Sequence, residues 1–412
     1  MGGLLRKFLT QFIRVGDLEV ETASGQKFRV GDGTGTPVGV RFMDAGAELG
    51  LLLDPESAFG DLFTDGRLVV TKGSIFEALM IGTRNVNVAQ PPKWILAVQR
   101  FRSAMRLFIQ RNTPDIAKKN AESHYDIDGR IYDLFLDADK QYSCAYFEHE
   151  GQSLEEAQLA KKRHIAAKLA IRPDHSVLDI GCGWGGLGLY LAESAGAKVT
   201  GVTLASEQLP IARQRAEEAG LADRADFQLT DYREVGSRFD RIVSVGMFEH
   251  VGLPHYDEFF RRVAELLADD GVALLHTIGN TGVPVPTNAW VVKNIFPGGY
   301  VPSLSEIVPA IERAGLMISD IEILRVHYAE TLRHWRERFL ARRDEAKAIM
   351  DERFCRKWEF YLAISEASFR LGITVIFQIQ LVKKVDALPL TRDYIGETEK
   401  NLRQSEKVLV AS

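Results

Sequence analysis

The chain contains 412 residues, 46% of them apolar, which is enough to bury a large core in two domains or in one domain with an appendage. A formal charge of −5 gives no overall attraction to nucleic acid, so affinity for an anionic surface must come from local basic patches. The three cysteines lack metal-binding spacing and do not make an even set, which argues against a disulfide framework or a zinc ribbon and favours a reducing cytoplasm.

The first predicted element is an amphipathic helix in LLRKFLTQFIRVG. Its apolar residues recur at the spacing of one helix face, and they are Leu4, Leu5, Phe8, Leu9, Phe12 and Ile13. Such a stripe usually packs against its own domain, and a helix lying on a membrane surface is the alternative. No run of about 18 uninterrupted apolar residues marks a membrane span.

Residues 17–81 predict a small α+β fold. LEVETASGQKFRVGDG alternates around a Ser-Gly turn as a β-hairpin does, and RLVV follows TDG as another short strand. We therefore place an N-terminal domain at residues 1–90. Its amphipathic first helix is the reason to expect that this domain associates with lipid or membrane.

Residues 91–122 predict a basic helix that connects two domains. PPKWILAVQRFRSAMRLFIQRNTPDIAKK has a helical apolar side and carries seven basic residues against a single aspartate. A charge run is usually a solvated face, but this excess of one sign also favours contact with anionic lipid headgroups.

From Ser176 onward the chain alternates strands with helices or loops. The seven strand segments are SVLDIG, KVTGVTL, DFQLTDY, FDRIVSVGM, GVALLHTIG, DIEILRVHY and FQIQLVKK. This order predicts an α/β fold with a doubly wound sheet, parallel where the crossovers are helical. A helical insertion at about 329–371 is long enough to cover a site at the carboxyl edge of the sheet. We assign residues 123–390 to this α/β domain and 391–412 to a peripheral tail.

A glycine-rich loop follows the first strand of this domain. In VLDIGCGWGG, Gly181, Gly183 and Gly186 satisfy G-x-G-x-x-G, a motif that lets the backbone pass close to a ligand but is weak evidence alone. An NAD site needs an acidic residue at the end of the second strand, where this chain has VTLASEQ. Asp179 instead suits a cationic group, so S-adenosylmethionine fits better than a dinucleotide.

Several polar residues fall at strand ends, where ligands of open α/β sheets bind. Glu249 follows the fourth strand, His276 ends the fifth, and His327 and Tyr328 end the sixth. A buried carboxylate is costly without partners, which makes Glu249 the strongest candidate. Cys144, in QYSCAYF, is by itself more typical of a buried inert thiol.

Two other site chemistries remain as alternatives for these residues. A metal site is disfavoured because the candidate ligands lack compact spacing and tyrosine is an uncommon ligand. A Cys–His acyl-transfer site is disfavoured by the adenosylmethionine cavity that is predicted beside it.

Eight segments of the chain together resemble the cyclopropane-fatty-acyl-phospholipid synthase family, including its mycolic acid cyclopropane synthase relatives. They are SHYDIDGRIYDLFLD, QYSCAY, VLDIGCGWGG, VTGVTLASEQ, IVSVGMFEHVG, LLHTIG, IFPGGYVPS and HYAETLRHWRERF. The resemblance implies a Rossmann-like methyltransferase sheet of seven strands with the last antiparallel. It also implies methyl transfer from S-adenosylmethionine to the cis double bond of an acyl chain in a membrane phospholipid, followed by proton loss and ring closure.

The resemblance leaves two rival activities open. The nearest rival is a relative that methylates an unsaturated chain without closing a ring, and the more distant one is a lipid-binding module without catalysis. The resemblance further implies a homodimer that acts in the cytoplasm, peripherally attached to the inner face of the membrane.

Matched residue by residue, the resemblance assigns a base and a cofactor site. A bicarbonate ion is the implied base, and its site is Cys144 and Ile278 through their backbones together with Glu249, His276 and Tyr328. The implied adenosylmethionine contacts are Tyr142, Ser143, Gly181, Gly183, Trp184, Thr203, Leu204 and Gln208, with Asp231 and Tyr232 near the adenine.

Aromatic faces that stabilise a substrate carbocation are expected among Trp184, Phe248, Phe296 and Tyr300. His250 has no counterpart in the matched set and is expected to be structural. One departure from the family is Asp128-Gly129 in place of the common Gly-Asn. The family's conformation is therefore not assumed for this stretch, which leads into the segment that covers the cofactor.

Overall fold

A computed structural model of the protein describes residues 2–86 and 127–411, with the side chains beyond residue 406 excluded. The predicted basic helix at 91–122 lies outside these residues. Within the described ranges, no helix is long and apolar enough to cross a membrane.

The N-terminal part is built from four helices and a four-stranded sheet. The helices are α1 Gly2–Phe12, α2 Ala45–Leu53, α3 Pro55–Thr64 and α4 Ile75–Val86, and the strands are β1 Leu18–Glu21, β2 Lys27–Val30, β3 Val38–Phe42 and β4 Leu68–Lys72. The sheet order is β2-β1-β3-β4, and the predicted hairpin is the antiparallel pair β1–β2. Helix α1 buries Leu5 and Leu9 in the core of this part, as an amphipathic helix packed on its own domain does.

The second sheet has seven strands in the order β10-β11-β9-β8-β5-β6-β7. These are β5 Ser176–Ile180, β6 Lys198–Thr203, β7 Ala225–Leu229, β8 Phe239–Val245, β9 Leu267–Asn280, β10 Met317–Leu324 and β11 Thr374–Val382. Strand β11 is antiparallel to both neighbours, and β5 to β9 are parallel. The predicted fold class is therefore confirmed. The parallel strands of this sheet have apolar sequences because they are buried on both faces.

Eleven helices accompany this sheet in the described part of the chain. They are α5 Gly129–Tyr132, α6 Leu154–Lys168, α7 Gly186–Ser194, α8 Gln208–Glu218, α9 Tyr256–Leu266, α10 Ala289–Asn294, α11 Leu304–Arg313, α12 His327–Ala341, α13 Arg343–Ile349, α14 Glu352–Arg370 and α15 Asp393–Ala411. The predicted insertion is confirmed as the three helices α12, α13 and α14.

The prediction that His327 and Tyr328 end a strand is wrong. Strand β10 stops at Leu324, and His327 is the first residue of α12. The apolar residues Tyr328, Leu332, Trp335 and Phe339 are all buried along this helix, and their helical period outweighs the β-propensity of the preceding valine.

The predicted C-terminal tail contains the helix α15, which packs on α6 at the surface of the protein. Glu406 accepts hydrogen bonds from Arg163 on α6 at 2.8 Å and from the hydroxyl of Tyr190 at 2.6 Å. The polar composition of the segment therefore reflects ion pairing rather than solvation alone.

The N-terminal part packs directly on the helical insertion. Phe63 and Trp290 each place their rings against Phe360 of α14. One continuous apolar cluster contains residues of both parts. Gly60 of α3 lies under Trp290, where an added Cβ would come within 2.5 Å of the indole ring.

We expect Gly60→Ala to lower the free energy of unfolding by about 1–3 kcal/mol, because Trp290 is 1% exposed and has no room to move. Gly50→Ala is the matched control, since Gly50 lies in the neighbouring helix α2 with nothing near its added Cβ. Alanine there should be neutral or stabilise by up to about 1 kcal/mol. Urea unfolding of both variants tests this, and equal effects would contradict the packing described.

Candidate active site

A cavity opens at the carboxyl ends of the parallel strands β5, β6 and β8. Its wall combines the glycine loop after β5, the end of β6, the segment after β7 and residues 140–143. Every residue that the sequence assigned to the cofactor lies on this wall: Tyr142, Ser143, Asp179, Gly181, Gly183, Trp184, Thr203, Leu204, Gln208, Asp231 and Tyr232. Residues far apart in sequence converge here because parallel strands end at one edge.

The glycines of the loop have separate structural reasons. Gly181 has φ +84°, and an added Cβ would lie 2.9 Å from Met247. A Cβ on Gly186 would lie 2.4 Å from Gln141, so this glycine lets the covering residues 139–141 approach helix α7. The motif therefore shapes both the floor and the cover of the cavity.

Asp179 places a buried carboxyl on the cavity wall. It is 2% exposed, and its Oδ2 has no hydrogen-bond partner within the described residues. Burial raises its pKa to about 7. An orphaned buried carboxyl requires a donor or a cation, and the ammonium of an amino-acid ligand fits that requirement.

Glu249 is fixed beside the cavity by contacts from strand β9 and from the loop that contains Tyr300. It lies in the 3₁₀ turn Phe248–His250 that follows β8. Its Oε1 accepts a hydrogen bond from the Ile278 N–H at 2.6 Å, and its carbonyl accepts one from the Tyr300 N–H at 2.9 Å. Its Oε2 is buried without a partner in the part of the chain that the structure describes.

His276 presents a second orphaned polar atom. On the neighbouring strand β11, the Gln378 amide N–H donates to His276 Nδ1 at 3.2 Å. Burial lowers the pKa of His276 to about 3, so the ring is neutral and its proton lies on Nε2. This Nε2 is buried and has no partner among the described residues. A donor and an acceptor are thus both unsatisfied on strand β9 and the turn beside it.

The chain segments that contain Cys144 and Tyr328 are joined through the hydroxyl of Thr331. That hydroxyl accepts a hydrogen bond from the Ala145 N–H at 3.0 Å and donates to the His327 carbonyl at 2.8 Å. The segment containing Cys144 is therefore tied to the first turn of α12, and Ile278 packs against the same apolar cluster. Burial raises the pKa of the Cys144 thiol, so the sulfur is a neutral thiol and unsuited to nucleophilic attack.

A series of aromatic rings, the aromatic wall, extends from Tyr142 on the cavity lining into the neighbouring apolar core. Tyr142 stacks on Trp335 with centroids 5.2 Å apart, Trp335 meets Tyr328 edge-on at 5.8 Å, and Tyr328 contacts Phe369 at 4.7 Å. The Tyr142 and Tyr361 hydroxyls are 2.8 Å apart. Trp335, Phe369 and Tyr361 come from the insertion and were not predicted.

Two of the four predicted cation-stabilising aromatics lie elsewhere. Phe248 stacks on Tyr256 at 4.3 Å, and it packs with Tyr300 in a separate apolar cluster. Trp184 lines the cavity. His250, predicted to be structural, also lies on the cavity wall, and burial lowers its pKa to about 4.

The departure at Asp128-Gly129 has a local explanation. Asp128 caps helix α5 by accepting a hydrogen bond from the Arg130 N–H at 3.0 Å. Aspartate is a preferred N-cap residue. A capped helical turn therefore precedes the segment that covers the cavity.

Two site residues escaped the sequence reasoning for the same physical reason. Gln378 orients His276 across the sheet, and Lys161 lies on the cavity wall. Both are polar residues inside strongly buried elements. The available signals were a glutamine in the apolar strand FQIQLV and the pair of adjacent lysines in helix α6.

Comparison with known proteins is consistent with this geometry. A family model described as mycolic acid cyclopropane synthetase matches residues 112–379. A Pseudomonas putida protein named "Probable fatty acid methyltransferase" is 40% identical over 281 residues, which cover 66% of this chain and 71% of the relative. The cyclopropane-fatty-acyl-phospholipid synthase of Escherichia coli K12 is 40% identical over 265 residues, covering 64% of this chain and 68% of the relative.

A solved structure extends the comparison to ligands. The mycolic acid cyclopropane synthase CmaA1, complexed with SAH and CTAB, superposes with a TM-score of 0.61 at 32% identity. The match covers 64% of this chain and 97% of that one. The family model, which matches residues 112–379, does not include the N-terminal sheet.

The buried Glu249 carboxyl should destabilise the protein at high pH. Burial raises its pKa to about 7, whereas a carboxyl in an unfolded chain titrates near about 4.3. Between these values the folded state holds a proton that the unfolded state has lost, so stability falls as the pH rises. Above pH 7 the cost is of the order of 3 kcal/mol.

We therefore expect Glu249→Gln to unfold at higher temperature than the wild type at pH 8 and at nearly the same temperature at pH 4. Calorimetry in bicarbonate-free buffer measures both. The control is Glu217→Gln, since Glu217 is exposed on α8. A rise in unfolding temperature that persists at pH 4, or one that Glu217→Gln also shows, would contradict the burial of an ionised Glu249 carboxylate.

Proposed function

Because this chain belongs to the mycolic acid cyclopropane synthetase family of S-adenosylmethionine-dependent methyltransferases, we propose that it converts the cis double bond of a phospholipid acyl chain into a cyclopropane ring. The observation that carries the proposal is the pair of orphaned polar atoms, Glu249 Oε2 and His276 Nε2. A methyltransferase that only alkylates a heteroatom has no need of such an anion site.

The residues on the cavity wall are proposed to hold the cofactor. When bound, S-adenosylmethionine supplies a sulfonium methyl group that even a weakly nucleophilic alkene attacks. Asp179 offers its carboxylate to the ammonium, and the glycine loop lets the backbone approach the ligand. Asp231 and Tyr232 lie at the segment after β7, where the adenine is proposed to bind.

The aromatic wall has two proposed roles during the reaction. Its rings exclude water, which would otherwise trap the substrate carbocation as an alcohol. Their faces also stabilise that cation while the transferred methyl group still carries its protons. Tyr142, Trp335 and Tyr328 form a continuous series of ring contacts suited to both roles.

A bicarbonate ion bound by Glu249 and His276 is the proposed base. The neutral imidazole donates its Nε2–H to the anion, and Glu249 Oε2 accepts the hydrogen of the bicarbonate hydroxyl. The Ile278 N–H donates to Glu249 Oε1, so its proposed role is to orient the carboxyl that holds the anion. The backbone of Cys144 and the side chain of Tyr328 complete the proposed site. Bound there, the anion would supply the base that removes a proton from the transferred methyl group, and the electron pair of that C–H bond would close the ring.

Methylation without ring closure is the second candidate. It is favoured by the P. putida relative, whose name specifies only a fatty acid methyltransferase. The same base would then remove a proton from the neighbouring chain carbon and leave a methyl-alkene.

The cellular setting of the enzyme is also a proposal. We place it in the cytoplasm, attached peripherally to the inner face of the membrane and active as a homodimer. The basic segment 91–122 and the predicted N-terminal domain at 1–90 are its proposed contacts with anionic lipid. The proposed domain boundaries, including a catalytic domain at 123–390, follow the sequence pattern.

Product analysis separates the two candidates. The protein is incubated with S-adenosylmethionine and vesicles of a cis-unsaturated phospholipid, and the acyl chains are analysed by mass spectrometry before and after ozonolysis. A chain that gains one CH₂ and resists ozone supports ring closure, whereas a methylated chain that ozone cleaves supports methylation alone. Absence of any lipid product would contradict both.

We expect Glu249→Gln to lose about 100-fold or more in turnover, while its affinity for S-adenosylhomocysteine stays within about twofold of the wild type. Removing bicarbonate should lower wild-type turnover, and adding it back should restore the rate. Glu217→Gln should respond to bicarbonate as the wild type does. A wild-type rate indifferent to bicarbonate would remove the anion from the mechanism.

A further inference from the structure

Lys161 is a buried cation on the wall of the cofactor cavity. It projects from helix α6 and is 1% exposed. Its Nζ donates to Gln141 Oε1 at 2.5 Å and to Ser143 Oγ at 2.7 Å. Both acceptors belong to the segment that covers the cavity, and both are neutral.

Two other lysines of the same helix, Lys162 and Lys168, each form an ion pair with a carboxylate. Lys162 forms an ion pair with Asp139 at 2.6 Å, and Lys168 pairs with Glu322. Lys161 forms no ion pair within residues 2–86 and 127–406. Burying an ammonium without a counter-ion is expensive, and burial lowers the pKa of Lys161 to about 8.

The opposite charge lies on the same cavity wall. Lys161 and Asp179 both line the cavity together with Ser143 and Gly181, yet no ion pair joins Lys161 to Asp179 in the described structure. Asp179 Oδ2 has no hydrogen-bond partner there either. One wall thus carries an unpaired cation and an unpaired carboxyl, which complement a zwitterionic α-amino acid group.

We propose that Lys161 is the counter-ion of the α-carboxylate of S-adenosylmethionine, opposite an Asp179 that receives the ammonium. The proposal rests on the family's use of this cofactor and adds a binding residue that no motif assigns. Lys161 also holds Ser143 and Gln141, so it links the carboxylate to the segment that closes the cavity. The site therefore selects a cofactor that has a carboxylate over one that lacks it.

Two ligands that differ only in the carboxylate provide the test. Calorimetric titration compares S-adenosylhomocysteine with its decarboxylated form, S-adenosyl-3-thiopropylamine. The wild type should bind the carboxylated ligand at least about 10-fold more tightly. Lys161→Met should weaken that ligand by about 10- to 100-fold and leave the decarboxylated one within about twofold.

Lys162→Met is the matched control, because it removes an adjacent buried ammonium that already has a carboxylate partner. It should keep the wild-type ratio of the two affinities even if both fall. Lys161→Gln retains hydrogen bonding and replaces the methionine variant should that variant fail to fold. Lys161→Gln should also lose the preference for the carboxylated ligand over the decarboxylated one.

The outcomes separate this proposal from the cofactor assignment. If Lys161→Met or Lys161→Gln weakens both ligands equally, Lys161 only supports the covering segment and the proposal is overturned. If the wild type binds neither ligand, the cofactor assignment itself fails. The measurement requires no lipid and no turnover, so it does not depend on ring closure.

Discussion

Burial of ionisable groups whose charge or hydrogen bonding is only partly compensated is the constraint around which this fold is organised. Asp179, Glu249, His276 and Lys161 are each at least 93% buried, and each destabilises the folded protein. Such groups persist only when the surrounding structure fixes them. The strands β5, β8 and β9, with the covering segment, do so through backbone positions that the sheet register sets.

The helical insertion supplies aromatic rings beside the cavity that the sheet forms, and the N-terminal part supports the insertion. Helices α12 and α14 supply Trp335 and Phe369 to the aromatic wall, and the N-terminal part packs on the far side of α14 through Phe63. An enzyme that generates a carbocation has to keep water away from it. The N-terminal part therefore stabilises the wall of the site even though its sheet contributes no residue to the cavity.

Periodicity was sufficient to predict the seven strands and the insertion, because buried parallel strands are apolar throughout. The resemblance of short motifs led to the cofactor cavity, and burial alone singled out Glu249. Long-range partners were missed, since nothing near Lys161 or Gln378 in the sequence specifies what they contact. His327 and Tyr328 were assigned to a strand because local β-propensity concealed the helical period that begins there.

The covering segment couples the two halves of the site. Residues 141–145 give Tyr142 and Ser143 to the cofactor cavity and Cys144 to the proposed anion site. Helix α6 holds this segment through Lys161 and Gln158, and α12 holds it through Thr331. Because these are five consecutive residues of one chain, a displacement of one half of the segment displaces the other half. The cofactor cavity and the proposed anion site are therefore linked mechanically through one short segment that two helices hold in place.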